Sequence, residues 1–396
     1  MTIPDFQVPE RLPWDAADPY SYYELRRRDG DVVWDHGMGA WLILGYHSVQ
    51  QILGGDGWTS SPLANVNTRD VFRAVDRDML RSNILFTDDV DHQRLRDSVR
   101  DVFTRSFVAG LHEGIEAIAT ETIDRIPTGV EFDFMTEIAS PLPIAVVAAW
   151  MGLDVDTARL IGDESPAIGA MISDIADTGA VEAGTAAFAT LLAELLPLAA
   201  DRRRTHRRDD LLGFIAADPN LELEDVVTTA VIILVAGHGT TANLLGAAMI
   251  RLLKPGPTGV RLVDTVDTVD DRLVSELLRL DGPVQVVGRT ATRDQDVGGV
   301  AIHAGEVAYA VIGAANRDPE VFSWPRRLRI DRPGPAPLAF GYGSHYCLGA
   351  ALARLEIAVA LQHILARRPA LRGEPKWQET PAIRGPAQLM ISFEGA

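Results

Sequence analysis

A single cysteine, Cys347, stands in a chain of 396 residues, within Phe340-Gly341-Tyr342-Gly343-Ser344-His345-Tyr346-Cys347-Leu348-Gly349. A lone thiol can close neither an intramolecular disulfide nor a multi-cysteine zinc or iron–sulfur site. The segment runs directly into a helix-forming stretch, residues 350–356. A thiolate just ahead of a helix N-terminus is favoured by the macrodipole and by free backbone N–H groups. Gly341 and Gly343 permit positive-φ turns and close approach of backbone to a flat ligand, and Gly349 lets the new helix lie against the same ligand. Phe340 offers an aromatic face and His345 a donor at the rim. Without such neighbours a lone cysteine reads as a small buried hydrophobe.

With them, the thiolate reads as an axial ligand for haem iron, pushing electron density toward O–O cleavage. Phe340, Gly343, Cys347 and Gly349 fill every fixed position of F-x-x-G-x-x-x-C-x-G, with His345 two residues before the cysteine. In this the chain resembles the cytochrome P450 family. The order of segments agrees with that family from Asp15 to about Phe393. The resemblance implies a mainly α fold with small β-sheets, a single triangular domain over 1–396 with residues 1–14 as an N-terminal extension. It also implies Cys347 as iron ligand of heme b (iron-protoporphyrin IX).

Composition agrees. At 47% hydrophobic the chain can bury a large core, and helical patterns dominate. The strand-like pieces, 40–44, 296–302, 306–312 and 389–393, are too few for a central sheet. A net charge of −18 argues against nucleic acid and anionic membranes as partners. No basic region followed by an apolar run opens the chain, so a cytoplasmic protein without a membrane anchor is expected, and a monomer. The most apolar segment, 226–253, is interrupted by His238, Thr240, Thr241 and Asn243 and reads as a buried helix. The basic run 202–208 reads as a solvated helix end.

That apolar helix carries Ala236-Gly237-His238-Gly239-Thr240-Thr241 in its middle. Two interior glycines cost about 1 kcal/mol each relative to alanine, and adjacent threonines can bond back to the preceding turn and bend the helix. One reading is a small-residue helix crossing. The other is a locally opened turn that admits a small ligand beside a reactive centre. The family's oxygen-binding helix carries A-G-x-[D/E]-T-[T/S] here, so the resemblance makes Thr240 the threonine that manages protons during O2 activation, with Ala236 and Gly237 beside it. Gly239 departs from that pattern, because it replaces the acid that relays protons. His238 is a rival donor, but the neighbouring helix position points about 100° away.

Glu276 and Arg279 lie three apart on one helix face, which alone suggests only a surface ion pair. The resemblance makes them the E-x-x-R pair of a buried network, completed by an arginine from the loop before the haem segment; Arg327 fits that place best, with Arg332 next. His92 and Arg96 fall on one helical face at i,i+4, two donors able to clamp one carboxylate. Beside a thiolate-haem loop the acceptors are haem propionates, with Arg289 and His345 as further donors. Residues 314–319, Ala-Ala-Asn-Arg-Asp-Pro, read as an architectural turn.

No G-x-G-x-x-G opens a helix after a strand, so electrons are expected from a separate ferredoxin and ferredoxin reductase, as in bacterial members of the family. Arg94, Arg100, Arg105 and Arg354 are candidates for a basic patch facing an acidic ferredoxin. Substrate contacts are expected from Ile84, Leu85, Phe86, Ile233, Val286, Val287 and Gln388, a mostly apolar set that suits a small hydrophobic substrate. The leading reading is a monooxygenase inserting one atom of O2, in secondary metabolism or catabolism. Three others stay open: an oxidase of the same family forming C–C or C–O links, a haem-containing recruitment protein, and a thiol enzyme using His345 as base.

Overall fold

The computed structural model describes residues 14–395, apart from 74, 76, 175, 176, 257, 258 and 267. The expected N-terminal extension, 1–14, therefore lies outside the described residues except for Trp14. One helix, Leu223–Leu253, organises the rest. It opens on a capping box in which the Glu222 and Asp225 side chains each accept from the other's backbone N–H. By length and composition it and Thr178–Thr205 are the two described helices that could cross a membrane, but its most apolar window is 78% buried within the protein. It is a core helix, as its pattern suggests.

Two apolar cores meet along it. Val226–Val235 packs with the helices Val155–Ser173 and Thr178–Thr205, through Ile161, Ile168, Phe188 and Leu191. Ala242–Leu253 packs with Asp271–Asp281 and Ala350–Ala366, through Leu277, Ile357 and Leu361. The stretch between, Ala236–Thr241, contributes a hydrophobic residue to neither core. The helix runs through it without a break. The expected opened turn is thus absent: Thr240 Oγ1 donates to Ala236 O at 2.9 Å and Thr241 Oγ1 to Gly237 O at 3.0 Å, while every backbone turn stays helical.

The strands form small sheets at the periphery. In chain order they are β1 (Val32–Asp35), β2 (Ala40–Ile43), β3 (Trp58–Thr59), β4 (Glu131–Asp133), β5 (Val286–Ala291), β6 (Gln295–Val297), β7 (Val300–Ile302), β8 (Val307–Val311), β9 (Pro369–Leu371), β10 (Lys376–Trp377), β11 (Pro386–Gln388) and β12 (Met390–Phe393). The largest sheet has the order β1-β2-β8-β5-β3, with only β2 and β8 parallel. Its β5–β3 edge sets Thr290 opposite Thr59 and so places Arg289 near the residues that follow β3. The piece expected as one strand over 296–302 is the β6–β7 hairpin instead, because Gly298 and Gly299, at φ of 60° and 82°, make the left-handed turn such a hairpin needs.

Candidate active site

The cysteine loop is built as its glycines suggest. Gly343 has φ +74°, and a Cβ there would lie 2.6 Å from Gly54 Cα and from Leu53 O, so no other residue fits. Cys347 N donates to Phe340 O at 2.9 Å, closing the loop just before the helix Ala350–Ala366. Cys347 is solvent-accessible although densely surrounded by protein. Burial pushes its thiol up from the ordinary range, opposed by the Gly349 backbone N–H and the Arg96 charge. A coordinating metal deprotonates a thiol outright. His345 is not placed as its base: Nε2 lies 3.0 Å from Ser60 Oγ and 3.3 Å from Asp88 Oδ1.

Hydrogen-bond donors gather around the loop. Arg96, on the helix Asp89–Arg100, donates to Tyr346 O at 2.8 Å. His92, one turn earlier, is buried with its ring centroid 4.1 Å from that of His345. Burial, then the nearby His345 and Arg96 charges, lower its pKa to about 4, so it is a neutral donor. Arg289 on β5 is buried, and its only side-chain hydrogen bond among the described residues is to Gly288 O at 2.8 Å. A buried guanidinium without a paired carboxylate is costly. These donors suit a ligand carrying carboxylates, and with an accessible sulfur beside them the residues present fit a haem with its propionates.

The long helix supplies the second element. Ile233, Ala236, Gly237 and Thr240 follow the i, i+3, i+4, i+7 spacing of one helical face, and these four and Gly239 are at least partly exposed while the other residues of 231–241 are buried. Ala236 is the most open. A Cβ added at Gly239 would meet nothing within 4 Å, so its missing side chain is not imposed by packing. His238 does not replace the missing acid. It is buried, its Nδ1 lies 2.8 Å from Leu234 O, burial lowers its pKa, and it lies off the exposed face.

Glu276 and Arg279 are buried together, with Arg279 Nε and Nη2 donating to the carboxylate at 2.7 and 3.0 Å. The third partner is Arg332, not Arg327. Arg332 Nε donates to Glu276 Oε1 at 2.8 Å, and Arg329 N to Oε2 at 2.9 Å. The Arg327 side chain is exposed and lies over the Trp324 ring at 4.8 Å; only its carbonyl joins the network, accepting from Arg279 and Arg332. The turn at 314–319 serves the same frame, with Asn316 O accepting from Arg279 and Asp318 from Tyr46 N.

Of the expected substrate contacts, Leu85, Phe86 and Ile233 pack on one core, and Ile84 belongs to it. Gln388 lies on β11, which reaches the long helix where Pro386 meets Gly246. Val287 shares the Arg289 face of β5, but strand alternation turns Val286 the other way, onto the cluster of Tyr20, Tyr23 and Leu42. Val286 is therefore a packing residue. The basic patch also thins: Arg94 is held by Asp225, Arg354 by Asp271 and Arg100 by Asp97, which leaves Arg105 without an acidic partner among the described residues. Asp88 and Ser60 join the site unforeseen; the signal for Asp88 was an aspartate directly before the clamp helix.

Known proteins bear on this geometry. The family description "Cytochrome P450" matches residues 268–368. Cytochrome P450 107B1 of Saccharopolyspora erythraea is 31% identical over 97% of this chain and 98% of its own length. Cytochrome P450 monooxygenase PikC of Streptomyces venezuelae is 32% identical over 96% of this chain and 92% of its own. The ligand-free crystal structure of Mycobacterium smegmatis CYP164A2 superposes with a TM-score of 0.84 at 29% identity, covering 95% and 96% of the two chains. With sequence likeness and fold agreeing over nearly the full length, the chain belongs to the cytochrome P450 family of haem-thiolate monooxygenases.

Proposed function

We propose that the protein is a heme b monooxygenase, one haem domain over residues 1–396, acting on a small hydrophobic substrate in bacterial secondary metabolism or catabolism. The observation that carries this reading is the company of Cys347: an accessible thiol with buried donors, Arg289 and His92, that have no carboxylate bonded to them. The bound haem-thiolate supplies reductive cleavage of O2. Cys347 holds it from the helix-terminal loop, and His92, Arg96, Arg289 and His345 orient it through its carboxylates. Phe340 closes the loop through its carbonyl to Cys347 N, and the Arg354 guanidinium lies 5.3 Å from its ring. Thr240 holds a proton at Oγ1, and Ala236 and Gly237 keep the helix face low enough for a small molecule to lie beside it. Leu85, Phe86 and Ile233 give that space an apolar wall, which orients substrate by shape.

Electrons come from a separate ferredoxin and reductase, in a cytoplasmic, monomeric setting. With three of four candidate arginines already paired, docking is steered weakly, and reduction rates should depend only mildly on ionic strength. Turnover with a surrogate ferredoxin and reductase under 18O2 tests the reading. One labelled oxygen atom in the product supports it. An unlabelled coupled product shows an oxidase forming C–C or C–O links. Electrons consumed into peroxide alone, across a diverse substrate panel, show a recruitment protein; Gly239 is the residue that keeps this second reading in view.

A further inference from the structure

Asp88 occupies the N-cap of the helix Asp89–Arg100 but does not cap it. An aspartate there ordinarily accepts from the backbone N–H two or three residues on. Here the carboxylate turns the other way, and the chain passes through Asp89 at φ +47° before the helix proper. Its oxygens accept from Ser60 N at 3.1 and 3.2 Å, from Ser60 Oγ at 2.7 Å and from Thr59 Oγ1. The same carboxylate lies 3.3 Å from His345 Nε2, which Ser60 Oγ also reaches at 3.0 Å. One side chain thus joins the end of β3, the start of the clamp helix and the cysteine loop. It is also the carboxylate whose charge acts on both Arg289 and His92.

This arrangement settles the orientation of His345. Its Nε2 is committed to Asp88 and Ser60, so Nδ1 is the nitrogen left for a further acceptor, and the His92 ring packs beside it, tilted by 40° with its centroid 4.1 Å away. We infer that Asp88 is a positioning residue for the haem-carboxylate clamp, acting through His345. Such partners behind a ligand-binding histidine fix its tautomer and direction. A purely architectural Asp88 would tie β3 to the helix and leave the histidine to find its own place.

The inference rests on haem binding, which the reduced, CO-bound spectrum of the wild-type protein tests separately. Haem transfer from the loaded protein to excess apomyoglobin then gives a dissociation rate for Asp88→Asn, for His345→Gln and for the double variant. Asp88→Asn is expected to speed haem loss roughly tenfold, and the double variant to lose haem no faster than His345→Gln. An unchanged rate in Asp88→Asn, or a double variant whose acceleration is the product of the two single ones, overturns the inference. If Asp88→Asn does not fold, Ser60→Ala serves in its place: a faster loss that disappears in the His345→Gln background supports the role, and an additive one refutes it.

Discussion

Replacing Arg332 by alanine should weaken the protein far more than replacing Arg327. The Arg332 side chain is almost fully buried, gives Glu276 a hydrogen bond of 2.8 Å, and donates to the carbonyls of Ser323, Trp324 and Arg327. Losing one charge-assisted bond costs about 1.5–3 kcal/mol, and breaking a buried ion pair about 3–5 kcal/mol. Glu276 keeps both Arg279 bonds and the Arg329 N–H, so Arg332→Ala belongs near the bottom of that second range, about 3 kcal/mol. Arg327→Ala removes only an exposed cation–π contact and leaves the useful carbonyl in place, at most about 1 kcal/mol. Guanidinium unfolding at matched haem loading, with haem content after purification, measures both. The carboxyl of Glu276 resists protonation: burial raises its pKa, but Arg279, the Arg329 N–H and Arg332 outweigh that and hold it below 4.5. Its contribution is therefore present above pH 4.5 and lost as pH falls through the depressed folded value. The wild-type and Arg332→Ala stabilities should converge in acid. Equal losses in the two variants at pH 7, or a larger one in Arg327→Ala, would refute the assignment.

Three further outcomes follow from other parts of the molecule. Gly239→Glu has room for its side chain, so it should lower the fraction of electrons released as peroxide and raise product per electron; unchanged coupling would make the missing acid irrelevant. Glu356 is buried, its Oε2 has no hydrogen-bond partner among the described residues, and burial raises its pKa well above 4.5, so its folded form stays neutral while the unfolded form ionises. Stability is then lost as pH rises above 4.5, by up to about 1.4 kcal/mol per unit; Glu356→Gln should abolish that slope, and a gap between the two proteins that does not widen from pH 5.5 to 6.5 contradicts it. Ile233→Ala should change the substrate-induced spin shift of the ferric protein while Val286→Ala leaves it alone, since only the first lies on the exposed helix face.

Legibility followed the range of the interactions concerned. The cysteine loop could be read because its signature lies within ten residues, a run of glycines and a sulfur three residues ahead of a helix, even though the close approach at Gly343 is to the distant Leu53 and Gly54. Glu276–Arg279 could be read for the same reason, being one turn of one helix. The third arginine could not. Arg327 and Arg332 lie in one loop of irregular backbone that passes through Trp324 at φ +52°, a conformation that sequence gives little reason to expect of a tryptophan, so which of them turns inward is not written in their spacing. Val286 was misplaced by one strand position, and parity on β5 depends on its register with β8, a partner in space. Asp88 could not be read from its neighbours, because its carboxylate turns away from the helix it precedes and onto the distant β3 end.

The small residues of the long helix are a case where a local oddity had a non-local cause. An interior run of glycine and threonine is a poor helix former, and its expected remedy was a broken turn. The helix holds regardless, because capping at Glu222 and two cores, one on each side of the run, stabilise it from both ends. Packing therefore does not demand large side chains at Ala236, Gly237 or Gly239, and the backbone need not open for the face to be accessible. The unevenness of the helix lies in its coverage. Where the two cores leave it uncovered, the threonine hydroxyl is the polar group on offer, already turned back onto its own helix and free to accept. On that reading Gly239 is a gap in the chemistry with no structural excuse, which makes the electron coupling of Gly239→Glu the sharpest measure of how this site departs from its family.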